Sequence, residues 1–150
     1  RQTIRIAAKF RMFKREIAMK LLRALAVGLL LAGPVSAQDG AEDKEIMLLA
    51  KQGKADAQAY IGLLYGYYAI DFDIEAEDAG AANSVFFAKK AEASRQYILA
   101  HMWLSLSVAN GNAEAAPQRA SVAKYLTPDQ LEEAQSRALI CLKTNYQDCD

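Results

Sequence analysis

From about residue 42 onward, apolar side chains recur at helical spacing. Ile46, Leu49 and Ala50 form an i, i+3, i+4 stripe that predicts a helix over about 42–52, stopped by Gly53. Tyr60, Leu63, Leu64 and Tyr67 line one face of a second helix over about 56–68. Gly62 lies inside that helix, where glycine costs about 1 kcal/mol relative to alanine, which points to close approach by a neighbouring helix. The third predicted helix, about 95–109, is nearly all apolar or small from His101 to Val108 and reads as the most buried element. Asn110-Gly111-Asn112 ends it, and a fourth helix follows over about 113–126, with Pro117 near its first turn. The fifth, about 127–144, opens on Thr127-Pro128-Asp129-Gln130, an N-cap threonine, a proline at the first helical position and a glutamine that completes a capping box. The stretch 69–94 reads differently. It is acidic at Asp71, Asp73, Glu75, Glu77 and Asp78, then small and apolar, and it predicts a long loop with at most a short helix around Phe86–Lys90.

Ahead of these elements the pattern changes. Met19-Lys20-Leu21-Leu22-Arg23 is a short basic stretch, residues 24–32 (ALAVGLLLA) are apolar, Gly33-Pro34 break the run, and Val35-Ser36-Ala37 offer small residues where an A-x-A-like site needs them. This order predicts a signal peptide over 19–37 and a mature chain from Gln38. Nine apolar residues are too few for a membrane span, which takes about 20. Residues 1–18 are basic without a helical stripe and are expected to be an upstream extension outside the fold, with translation starting at Met19 or Met12.

Charge sharpens this division. Residues 1–37 carry a net charge of +7 and residues 38–150 a net −7, so the neutral total conceals two unlike segments. A domain at −7 repels nucleic acid and anionic membrane at long range, which argues against both as partners. The mature chain also lacks a second apolar run long enough to anchor it in a membrane.

The chain matches itself at an offset of 58 residues. Gly53-Lys54-Ala55-Asp56-Ala57 and Gly111-Asn112-Ala113-Glu114-Ala115 share G-x-A-[DE]-A, and Gly62 pairs with Ala120. Each copy is helix, glycine turn, helix. Helical-hairpin repeats usually have periods of roughly 34–45 residues, so 69–94 reads as an insertion within one repeat. Residues 57–65 (AQAYIGLLY) resemble the A-Q-x-x-L-G-x-x-Y core of Sel1-like repeats, which are tetratricopeptide-like. Residues 100–104 (AHMWL) and 109–113 (ANGNA) resemble that family's A-x-x-W helix and following glycine turn, and 127–130 resemble the final helix of short exported members. The resemblance covers about 41–145. It departs from the pattern at the acidic insertion and at Pro117. It implies an all-α fold, an α-solenoid fragment of about two hairpin repeats within a domain at 41–150. It also implies a surface for another protein, and it brings no shared catalytic residues.

The remaining chemistry is sparse. His101 is the single histidine, lies in an apolar helix beside Trp103, and has no nucleophile paired with it in sequence, so it reads as a packed residue. The alternating run Asp71-x-Asp73-x-Glu75-x-Glu77 has the look of a calcium loop. However, Ala76 stands where that loop needs glycine and Ala82 where it needs glutamate, so a solvated acidic segment is expected. No metal set or cofactor motif emerges. Tyr67, Tyr68, Phe72, Phe86 and Phe87 flank or lie within the insertion and are the candidate binding residues, since tyrosine and phenylalanine are enriched at interfaces. Cys141 and Cys149 form an even pair, expected to be a disulfide in an oxidising compartment, where the loop between them would gain about 2.6 kcal/mol from chain entropy. The resulting expectation is a periplasmic or secreted, non-catalytic protein-interaction module. The alternative is a small cell-wall hydrolase using a carboxylate pair, which requires two acids facing each other across a cleft.

Overall fold

A computed structural model describes residues 39–149, and within them the chain is all-helical, with five helices and no strand. These are α1 (Asp39–Ala50), α2 (Ala55–Ala79), α3 (Ser84–Ala109), α4 (Ala115–Ala123) and α5 (Pro128–Lys143). The expected signal peptide and upstream extension lie outside the described residues.

The two glycines paired by the self-match do the same job. Gly53 and Gly111 take φ of 78° and 98°, left-handed values that glycine adopts without a Cβ penalty, and each reverses the chain between two helices. α1 lies antiparallel on α2. The Gln58 amide donates to the Ala50 carbonyl at 3.0 Å, and the Tyr60 hydroxyl donates to Asp43 at 3.3 Å. Burial, then Asp43, push the Tyr60 phenol up to about 12.

α2 and α3 form a long antiparallel hairpin, and here the structure corrects the sequence reading. The stretch 69–94 is not a loop: α2 continues to Ala79 and α3 begins at Ser84, leaving a four-residue turn. The turn has its own chemistry. Gly80 leaves α2 at φ 82°, and the Asn83 side chain caps α3 by accepting from the Val85 backbone N–H at 3.0 Å. Small residues every seven positions make the seam: Gly62, Ala69 and Ala76 on α2, and Ala93, Ala100 and Ser107 on α3, all buried. Gly62 allows the closest approach, since an added Cβ would sit 3.1 Å from the Ala100 carbonyl oxygen and 3.0 Å from the Leu104 nitrogen.

α3 is the central element. Met102, Trp103, Leu104 and Leu106 are all at most 1 % exposed because α2, α4 and α5 pack around this part of the helix. α5 carries the expected capping box, with Thr127 and Gln130 exchanging hydrogen bonds, and the Gln130 amide donates to Ser94 at 2.6 Å to fix its start beside α3. Its other end is fixed by the C-terminal segment. Cys141 and Cys149 are disulfide-bonded, with Cα atoms 4.6 Å apart. The closed loop holds Asn145 and Tyr146 at φ 51° and 64°, which seats the Tyr146 ring against Gly53 and lets its hydroxyl donate to Asn110 at 2.9 Å. The last segment thus bridges both glycine-turn regions.

Candidate functional site

Two surfaces stand out, an arm and a cleft. The arm is the outer part of the α2–α3 hairpin. At its base Ala69, Ala93 and Tyr97 form a small core with Ile70, Phe72, Val122 and Leu126 packed against it. From Asp73 to Lys90 the polar contacts run between α2 and α3. Lys90 bonds Asp73 at 3.0 Å and Glu77 at 2.8 Å, Lys89 pairs with Glu75, and the Tyr97 hydroxyl donates to Asp73 at 3.0 Å. These bonds raise the Lys90 pKa, Glu77 contributing first, while burial and then Asp73 raise that of Tyr97. Partly exposed pairs contribute about 0.2–1 kcal/mol each, so their effect is to fix the register of the arm more than to stabilise the protein. Three of the four acids of the run that resembled a calcium loop, Asp73, Glu75 and Glu77, are engaged in this ladder, and among the described residues no group of three or more metal-ligating side chains is assembled.

Four of the five candidate aromatic residues fall into two pairs, and Phe72 stands apart from both. Tyr67 and Tyr68 meet edge-on at 6.2 Å near the middle of α2, where Tyr68 is 39 % exposed and its phenol pKa is raised by burial, then by Asp43. Phe86 and Phe87 meet edge-on at 5.3 Å beside the tip. Phe72 packs into the base of the arm, with the Lys89 ammonium 4.9 Å from its ring, and Lys90 lies 5.6 Å from Phe86. Of the five, Phe87 is the most exposed, at 64 %, and Val85 near it is 46 % exposed.

The cleft was not read from the sequence. α4 and α5 each lean on α3 more than on each other, and the gap between them is about 520 Å³. Its floor is His101, Ser105 and Ala109 of α3. One wall is Arg119, Ala120 and Ala123 of α4, and the other is Leu131, Gln135, Ala138, Leu139 and Leu142 of α5. The signal that could have located it is the stripe 131, 135, 138, 142, an i, i+4, i+7, i+11 face leading to the exposed Leu139. Arg119 is half-buried there and has no carboxylate within ion-pairing distance among the described residues.

His101 is buried, and its pKa is lowered first by desolvation and then by the Arg119 charge. The Ser105 hydroxyl lies 3.5 Å from its Nδ1 but donates to the His101 backbone carbonyl at 2.8 Å. That hydroxyl is engaged along the helix, and no acid among the described residues is hydrogen-bonded to the imidazole, so they do not assemble a nucleophile–base–acid relay. The lowered pKa has a measurable consequence. The unfolded chain takes up a proton at this histidine near pH 6.5, whereas the folded protein does not until lower pH. Folded stability is therefore expected to fall as pH drops below about 6.5 and to level off, for this residue, past its folded pKa. Thermal unfolding between about pH 7.5 and pH 5 checks this: His101→Gln should show a flatter profile than the parent, and parallel profiles would refute it.

No family model, curated protein or solved structure matches the chain.

Proposed function

We propose that this protein is an exported, non-catalytic interaction module, built from Sel1-like helical hairpins, that holds another protein through the arm. The observation that carries the reading is the tip itself. Val85 and Phe87 are displayed on a two-helix projection whose register is held by the lysine–carboxylate ladder. A large aromatic held outward on a rigid element suits an interface anchor, since little side-chain entropy remains to be lost on binding. Export is supported by the disulfide, which fits an oxidising compartment. Among the described residues no helix is long and apolar enough to cross a membrane.

The hydrolase reading needs two carboxylates across a cleft. Among the described residues the α3–α4–α5 cleft is lined by none, and Asp73, Glu75 and Glu77 of the arm are engaged with lysines. Site-specific photo-crosslinking tests the binding proposal. A crosslinker at Phe87 should give a discrete adduct with one envelope protein, and one at exposed Ser136 of α5 should not. Equal labelling from both positions would count against the arm.

A further inference from the structure

We propose that the cleft between α3, α4 and α5 is a binding site for a fatty acid, with its carboxylate on Arg119 and its alkyl chain along Leu131, Ala138, Leu139 and Leu142. This goes beyond the protein-binding role of the arm and uses a different surface. The size fits: about 520 Å³ lies within the range of small-molecule sites, roughly 300–1,000 Å³. Among the described residues the lining is mostly aliphatic and its one full charge is Arg119, which has no ion-pair partner among them. A half-buried guanidinium on an apolar wall favours an anion that brings apolar surface with it, because the same binding event pairs the charge and covers the leucines.

The polar inventory of the cleft separates an alkyl chain from a peptide. An extended peptide adds one N–H and one C=O per residue, each needing a partner once buried. Apart from Arg119, the polar side chains that the described residues bring to the cleft are Gln135, His101 and Ser105, and the Ser105 proton is already donated to the His101 carbonyl. A helix satisfies its own backbone, but at about 10 Å across it would fill this volume in little more than one turn. An alkyl chain brings no backbone polar groups and is narrower than either. The single cation specifies one carboxylate at one end.

Titration calorimetry of the purified protein with sodium decanoate, decanol and decylammonium, all below their aggregation concentrations, tests the assignment. Decanoate should bind saturably at one site, with decanol at least tenfold weaker and decylammonium weaker still. Arg119→Gln should bring decanoate down to the level of decanol, and Arg119→Lys should restore part of the difference. Amide chemical-shift changes on adding decanoate should map to 101–109, 119–123 and 131–142. Absence of saturable binding, equal affinity for decanoate and decanol, an unaffected Arg119→Gln variant, or shift changes centred on 80–90 would each overturn it.

Discussion

Gly62→Ala is expected to lower the stability of this protein, whereas Gly66→Ala, one turn further along the same helix, should raise it. Both substitutions remove a glycine from a helix interior, which by itself favours folding by about 0.8–1.0 kcal/mol. What differs is the space. At Gly62 the new methyl carbon would lie 2.7 Å from Leu104 Cγ, 3.0 Å from the Leu104 nitrogen and 3.1 Å from the Ala100 carbonyl oxygen. Two of those atoms are backbone, so α3 as a whole must move, and overpacking of this kind costs about 1–3 kcal/mol. At Gly66 the nearest atoms are Ala100 Cβ at 3.9 Å and Val122 Cγ2 at 4.0 Å, ordinary contacts. Chemical unfolding of the parent and the two variants should give midpoints on opposite sides of the parent. Gly62→Val, larger and β-branched, should lose about 3 kcal/mol or more. Equal effects at positions 62 and 66 would mean that α2 and α3 do not cross where described.

The second large effect concerns the C-terminal loop. Replacing Cys141 and Cys149 together by serine is expected to cost about 2.6 kcal/mol from the freed loop. A further loss follows as Tyr146 leaves Gly53 and Asn110, contacts that depend on the loop holding its left-handed backbone. Helical content by circular dichroism should persist, because α2 and α3 pack elsewhere. Tyr146→Ala with the bridge intact should show a smaller fall in melting temperature, isolating the contribution of the ring. A double serine variant as stable as the parent would show that the bridge constrains nothing.

These two sites illustrate what the sequence disclosed. The glycine turns at 53 and 111, the capping box at Thr127, the cysteine pairing and the close approach at Gly62 are local signals. Each follows from a backbone preference or from short spacing, and each appears where expected. The stretch 69–94 was misread because its acidic residues and small apolar residues look like a solvated loop when read in isolation. Their stabilisation is non-local: Asp73, Glu75 and Glu77 find their lysines on the opposite helix, thirteen to seventeen positions away. A longer period was nevertheless present. Gly62, Ala69 and Ala76, and likewise Ala93, Ala100 and Ser107, repeat every seven residues, carrying the helical seam through the supposed loop. The cleft was illegible for a different reason. It depends on α4 and α5 leaning apart across α3, a tertiary relation that no single helix records. Arg119, ordinary in sequence, gains its character from the apolar walls around it.

The central claim, that the arm holds a partner protein, is open to one direct measurement. Asp73 and Lys90 are joined across the hairpin at 3.0 Å, so the chain between them can be removed in register, with residues 74–89 replaced by a short glycine-containing turn. The base of the arm, with Ala69, Ala93 and Tyr97, stays in place. The binding affinity of the partner crosslinked from Phe87 should then be compared for the parent and the trimmed protein, alongside their melting temperatures. The account predicts a cooperatively folded trimmed protein that loses the partner by at least a hundredfold. A trimmed protein that folds and binds as tightly as the parent would contradict it.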